Sequence, residues 1–235
     1  SHTLIAVLIN LLWGSMFIAA VIGLREFPPI LFTGIRFGLL AILLLGFLRV
    51  PKPLAMPLLK IGLVMGAGMY LTLYLSLALA KNTSSIAVFS KLEVPFALLL
   101  GVILLGERIG PRRIAGVSIA MLGAIIITFD PSAFDDLPAL FWMAASCAFS
   151  AFGFIQVRHL GKIHPFTIVA WISVVSAPIL LTISLIFENN HLQVVGEATW
   201  IGWAALIYTA IMSSLVANTG LYYLLHRYPV NLVTP

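Results

Sequence analysis

Charged residues are scarce in this chain: they make up 9% of its 235 residues, whereas 61% are hydrophobic. Soluble globular domains carry roughly a quarter charged residues, so this composition excludes a water-soluble fold. The single cysteine, Cys147, excludes an intrachain disulfide and a cysteine-based metal site. The apolar residues form separate runs of about 20 residues without the strict alternation of a membrane barrel, which predicts an all-α polytopic membrane protein in a lipid bilayer.

Eight of these runs are long enough to cross about 30 Å of hydrocarbon as helices that rise 1.5 Å per residue. The connections between them are short, so successive spans should form antiparallel hairpins. We name them the first to the eighth span, and the sequence places them at residues 3–24, 29–48, 58–80, 83–105, 113–129, 137–157, 165–187 and 199–225.

Basic residues in the loops predict the orientation of the chain. Nine lysines and arginines lie on the side of the N-terminus, and two, Arg25 and Lys81, lie on the other side. Because cytoplasmic loops carry the excess of Lys and Arg, the N-terminus is expected in the cytoplasm. The net charge of +5 therefore reflects topology and does not indicate nucleic acid as a partner.

The two halves of the sequence repeat each other weakly. Phe27-Pro28-Pro29-Ile30 opens the second span and His164-Pro165-Phe166-Thr167 opens the seventh, while Lys81 and Arg227 close the third and eighth spans. These landmarks predict a repeat of five spans, with domains at 1–129 and 137–235. Since five is odd, the second copy enters the membrane in the opposite sense. Such inverted repeats are typical of secondary transporters with a substrate site near the midplane.

Three charges lie inside spans at similar depth: Arg36 in the second, and Lys91 and Glu93 in the fourth. A charge inside the bilayer needs compensation and by default indicates a functional site. Lys91 and Glu93 are about 200° apart around a helix, so they cannot pair with each other. We expect Arg36 to pair with Glu93, which leaves Lys91 facing a cavity or a substrate carboxylate.

Two alternatives remain open for these charges at this point. The Arg36–Glu93 pair could fix helix packing without touching a substrate, or Glu93 could couple transport to protons, since a desolvated carboxylate can titrate near neutral pH. Pro95 removes the backbone donor for the carbonyl of Lys91 and so permits a bend in this turn.

Other polar or aromatic residues at mid-span depth are candidates to line the same cavity. We expect Thr72 and Asn218 to correspond at an offset of 146 residues and to line it from opposite halves. Ordinary packing is the alternative for the aromatic residues, and an interhelical hydrogen bond is the alternative for Asn218. The candidates are Asn10, Trp13, Tyr70, Thr72, Tyr74, Ser213, Ser214 and Asn218.

Signs of other chemistry are weak. The five histidines lie at termini or in loops without metal-ligand spacing, and the sequence has no nucleophile-elbow or nucleotide-binding motif. The sequence therefore predicts no enzyme activity, no cofactor and no metal. A non-transporting membrane receptor or assembly partner on the same bundle is the competing hypothesis, and three mid-span charges favour a transporter over it.

Short motifs resemble the EamA-type transporters of the drug/metabolite transporter superfamily. They are Leu12-Trp13-Gly14-Ser15-Met16-Phe17, Pro28-Pro29 with Gly34-Ile35-Arg36-Phe37, Leu104-Leu105-Gly106-Glu107-Arg108, and Gly116 with Gly123. The resemblance implies two inverted five-helix repeats, ten helices in all, that export amino acids, their derivatives or other small metabolites through a bacterial inner membrane. The chain would contain eight complete spans and, after Arg227, the start of a ninth. Lys91 and Glu93 stand where such exporters often have glutamine-like or apolar residues.

Overall fold

The computed structural model describes residues 2–105, 136–161, 163–225 and 227–228, with short pieces at 110–111, 114–116, 118–119 and 122–123. Helices account for nearly all of this part of the chain, and it contains no β-strand. Six of the described helices are long and apolar enough to cross a membrane. The protein is therefore a multi-pass, all-α membrane protein.

Seven of the eight predicted spans appear as helices close to their expected positions. Most of the fifth predicted span (113–129) lies outside the described residues, as do the turn with Glu107, Arg108 and Arg112 and the segment 229–235. The first to fourth helices are His2–Leu24, Pro29–Leu43, Lys52–Leu79 and Thr83–Leu104, and the sixth to eighth are Leu137–His159, Pro165–Phe187 and Trp200–Leu225. A short helix, His191–Glu197, precedes the eighth.

Two boundaries differ from the sequence prediction. The second helix ends at Leu43 rather than Leu48 and continues as a 3₁₀ turn over Leu45–Phe47, which contains the weak helix former Gly46. The third helix begins at Lys52 instead of Leu58, because a proline in the first turn is compatible with helix and Pro53 occupies that turn.

The third and eighth helices each contain a π-helical segment that the sequence did not predict. These segments are Gly62–Met69 and Thr209–Ala217. Wider turns disturb the ladder of backbone hydrogen bonds, and in lipid each carbonyl must find a partner inside the protein. The Ser176 hydroxyl donates to the Gly62 carbonyl over 3.2 Å, and the Ser146 hydroxyl donates to the Met69 carbonyl over 3.0 Å. Neighbouring helices thus stabilise the irregular turns of the third helix.

The first four helices pack against the sixth to eighth helices. The second helix lies along the seventh, the first packs on the eighth, the third packs on the sixth and seventh, and the fourth packs on the sixth. Close approach depends on small residues: a Cβ atom at Gly66 would lie 1.6 Å from the Ser176 Oγ. This arrangement leaves a cavity between the first, third, fourth, sixth and eighth helices.

Candidate functional site

The cavity has a volume of about 420 Å³ and lies at the mid-depth of the helices that surround it. Its wall is mixed in character, with charged and hydroxyl groups interrupting an apolar surface. The polar lining consists of Asn10, Tyr70, Ser90, Lys91, Glu93, Ser146, Ser213, Asn218 and Tyr222. Aromatic rings and methionines supply most of the rest, including Trp13, Met16, Phe17, Met65, Met69, Met143 and Phe154.

The structure brings some of the predicted site residues to this cavity and leaves others away from it. Those on the cavity wall are Asn10, Trp13, Tyr70, Lys91, Glu93, Ser213 and Asn218. Those behind the wall are Arg36, Thr72, Tyr74 and Ser214, which are buried in helix contacts. Contact with a substrate stays a prediction for the residues on the wall.

The predicted ion pair between Arg36 and Glu93 is wrong. Arg36 is 0% exposed, and its Nη1 and Nη2 donate to the hydroxyls of Tyr74 and Ser214, whereas its Nε has no hydrogen-bond partner among the described residues. Arg36 and Glu93 lie on helices that pack against different neighbours. The second helix packs on the third, seventh and eighth helices, and the fourth packs on the sixth.

Aromatic rings complete the surroundings of the Arg36 guanidinium. Its central carbon lies 4.8 Å from the ring centre of Tyr70, 5.5 Å from that of Tyr74 and 5.8 Å from that of Phe37. The negative face of an aromatic ring attracts a cation, most strongly where water is excluded. Arg36 is therefore a buried cation held by neutral groups of the second, third and eighth helices.

Thr72 does not line the cavity opposite Asn218. Its hydroxyl donates to the carbonyls of Gly68 and Met69 in its own helix, over 2.9 Å each, where the π-helical segment ends. Asn218 instead donates from Nδ2 to the hydroxyl of Tyr70 over 2.9 Å. This is the interhelical hydrogen bond expected as an alternative for Asn218, and it joins the third and eighth helices at the cavity wall.

Lys91 and Glu93 lie at a local break in the fourth helix, where the sequence allowed a bend. A 3₁₀ turn over Ser90–Leu92 separates Thr83–Phe89 from Glu93–Leu105. The Lys91 side chain is exposed at the cavity, and the Glu93 side chain is partly buried there. The Cys147 thiol donates to the Ser90 carbonyl over 3.3 Å and so ties the break to the sixth helix.

Sequence reasoning missed the methionines of the wall, together with Ser146, Cys147 and Tyr222. Four of the seven methionines in the chain, Met16, Met65, Met69 and Met143, line the cavity. Helical spacing could have found some of these residues, because Met65 and Met69, like Asn218 and Tyr222, are four residues apart on one helix face. Methionine is flexible and polarisable, so it suits a wall that meets ligands of varied shape.

A helical membrane bundle around a polar, partly charged cavity at mid-depth is the architecture of a small-molecule transporter. The EamA-like transporter family matches residues 2–129 and 137–235, and the chain belongs to this family.

Similar proteins of known sequence carry transporter names. A protein of Escherichia coli (strain K12) named "Probable amino-acid metabolite efflux pump" is 24% identical over 241 residues, which cover 98% of this chain and 80% of that protein. The "S-adenosylmethionine/S-adenosylhomocysteine transporter" of Chlamydia trachomatis serovar L2 is 27% identical over 168 residues, 64% of this chain and 50% of that protein. A crystal structure that is 20% identical covers the whole chain and 82% of its own, with a TM-score of 0.74, and shows the same fold.

Substitution of Ser214 by alanine should destabilise the protein, whereas the same change at Ser213 should not. Ser214→Ala removes a hydrogen-bond acceptor from a buried guanidinium, which costs about 1.5–3 kcal/mol. Ser213 is equally buried, but its hydroxyl has no hydrogen-bond partner, so Ser213→Ala should change little. Reversible unfolding in mixed detergent micelles measures both values, and equal losses would contradict the role given to Ser214.

Proposed function

We propose that this protein is a secondary active transporter that exports small metabolites, namely amino acids or their derivatives, by alternating access around the central cavity. One observation carries the proposal: Lys91 and Glu93, charges that are costly in a membrane, reach the same cavity. An assembly partner has no need of such a cavity.

The names of similar proteins also support the export of small metabolites. The similar Escherichia coli protein is named as an efflux pump for amino-acid metabolites, and the similar chlamydial protein as a transporter of S-adenosylmethionine. Both names describe small molecules with an amino-acid core. We therefore assign this chain a substrate of that size, exported from the cytoplasm.

The proposed mechanism needs two halves, which we place at 1–129 and 137–235 as inverted five-helix repeats of a ten-helix bundle. Three features support this division. The first and sixth helices both have 23 residues, the third and eighth both contain a π-helical segment, and the first packs on the eighth as the sixth packs on the third. The excess of basic loop residues on the side of the N-terminus supports a cytoplasmic N-terminus, and we propose the bacterial inner membrane as the location of the protein.

Three carboxylates join the proposed halves at one end of the bundle. Glu188 accepts the backbone N–H groups of Ile30 and Leu31, over 2.8 Å each. Glu26 accepts both the N–H and the hydroxyl of Thr199, over 2.6 and 2.7 Å.

Asp136 supplies the third link. It accepts the N–H groups of Lys81 and Asn82, over 2.8 and 3.1 Å. All three carboxylates lie where the first, third and seventh helices end and where the second, fourth, sixth and eighth begin, and we call this end the tied face.

Alternating access requires the tied face to open and close. Glu26 and Glu188 each accept two hydrogen bonds from the other proposed half, and Asp136, which directly precedes the second half, accepts two from the first. All three lie at helix N-termini, where negative charge is favoured. We propose that these contacts keep the bundle closed at this end. In the proposed orientation the tied face is the outer one, so release of substrate requires these bonds to break.

Loss of one carboxylate should shift the protein toward the conformation that is open at the tied face. Glu188→Gln removes the charge and one of the two acceptors at the start of the second helix. Cys147 is the one cysteine in the sequence and lies on the cavity wall, where it is 3% exposed. Its alkylation by a membrane-impermeant maleimide from the tied face should therefore become several-fold faster.

The matched control is Glu197→Gln, which lies on the same face but accepts its hydrogen bond from Gln193 in its own short helix. Alkylation in this variant should remain at the wild-type rate. If both variants react alike, or if neither differs from wild type, the three carboxylates do not control access to the cavity.

Counter-flow in liposomes tests the transport proposal itself. Labelled amino acids and their derivatives should accumulate transiently in liposomes that contain the protein and unlabelled substrate, and the flux should saturate.

We also propose Glu93 as the proton-coupling group, faced by Lys91 on its own helix, by Cys147 on the sixth and by Tyr222 on the eighth. Glu93→Gln should then keep counter-flow, which moves no net proton, but lose uptake driven by a pH gradient.

Two results would contradict these proposals separately. The absence of saturable flux across a broad metabolite panel would remove transport and favour the receptor alternative. If uptake by Glu93→Gln still responds fully to the pH gradient, Glu93 is not the coupling group, and the transport proposal is unaffected.

A further inference from the structure

The charges at the cavity do not balance. Lys91 contributes a cation on the wall and Glu93 contributes a carboxylate. Arg36 adds a second cation directly behind the wall, because its guanidinium carbon lies 4.8 Å from the ring centre of Tyr70, a cavity-lining residue. Among the described residues, the cavity and its immediate surroundings therefore carry one positive charge in excess, and a neutral Glu93 would raise that excess.

The protein leaves the charge of Arg36 uncompensated within the part of the chain that the structure describes. The guanidinium donates to two neutral hydroxyls, of Tyr74 and Ser214, and its Nε has no partner. Hydrogen bonds to neutral groups replace those that the guanidinium would make with water, but they do not neutralise its positive charge. At the low effective dielectric of a buried site, the field of such a cation extends across a single aromatic ring with little screening.

Two residues of the wall offer hydrogen-bond donors for a carboxylate. Ser213 lines the cavity, and its buried hydroxyl has no hydrogen-bond partner among the described residues. Lys91 lines the same cavity and is exposed. A negatively charged ligand would accept from both groups and offset the excess charge, whereas a zwitterion would leave that excess unchanged.

We propose that the cavity selects net anions: small carboxylates with an apolar group and no free amine, such as N-acylated amino acids. This inference rests on the proposed transport function and specifies its substrate class. The carboxylate would bind Lys91 and Ser213, and the apolar group would lie against the methionines of the wall, Met16, Met65, Met69 and Met143.

Three ligands that share one side chain test the inference: N-acetyl-leucine, leucine and leucinamide, which carry net charges of −1, 0 and +1. Each competes with labelled substrate in the counter-flow assay at a fixed ionic strength. The expected order of affinity is anion, zwitterion and cation, with N-acetyl-leucine binding at least about tenfold more tightly than leucine. Tighter binding of leucine or leucinamide would overturn the inference.

Charge variants show whether the cavity causes the preference. Lys91→Gln should remove most of the advantage of N-acetyl-leucine, and Glu93→Gln should increase it. Lys60→Gln is the matched control, because Lys60 is an exposed cation of the third helix away from the cavity wall. An anion preference that survives in Lys91→Gln at its wild-type size, or that Lys60→Gln weakens equally, would assign the selection to general surface charge and overturn the inference.

The outcomes also separate this inference from the transport proposal. Saturable flux with leucine or leucinamide preferred refutes the anion preference and leaves transport standing. No saturable flux for any of the three ligands, together with none across the wider panel, refutes both.

Discussion

The buried guanidinium of Arg36 is the contact on which the centre of this protein depends. A cation inside a membrane bundle must be held by donors and acceptors from the protein itself, because lipid provides none. Arg36 of the second helix finds Tyr74 on the third and Ser214 on the eighth, under the ring of Tyr70. These contacts join three helices from both ends of the sequence, immediately behind the cavity wall.

The electrostatics of the cavity follow from this arrangement. Neutral hydroxyls and aromatic rings hold Arg36, so no carboxylate of the described residues neutralises its charge. Glu93 lines the cavity instead of pairing with Arg36. Lys91 and Glu93 reach the same space because the fourth helix changes to a 3₁₀ turn beside them. Carboxylates accept backbone N–H groups at the tied face, where Glu26, Asp136 and Glu188 lie. In the mechanism that we propose, different groups select the substrate and close the bundle.

Much of the fold was predictable from the sequence, because long apolar runs can form only helices in a bilayer. The sixth to eighth helices, for example, lie within two residues of their predicted bounds. The π-helical segments were not predictable from local sequence, and in the third helix the carbonyls of Gly62 and Met69 depend on Ser176 and Ser146 of other helices. Residues whose roles depend on tertiary contacts, rather than on composition, were not predictable for the same reason.

The candidate site was predictable only in part, because a charge inside an apolar run marks a functional position but does not show where its side chain points. Counting residues along a span predicts a common depth for Arg36, Lys91 and Glu93, yet it could not say which face of each helix meets which neighbour. Ser213 and Ser214 show the difference most clearly: the first lines the cavity, and the second binds Arg36 behind it. Adjacent positions on one helix thus have different roles.

The central claim, that two halves rock around the cavity, is tested most directly by paired distance measurements between spin labels. With Cys147 replaced by serine, one pair at Arg25 and Glu197 spans the tied face, and a second pair at Arg49 and His159 spans the opposite end; all four positions are at least partly solvent-accessible surface sites. The account predicts that substrate changes the two distances in opposite directions, one longer and the other shorter. Two distances that stay constant, or that lengthen together, would contradict it.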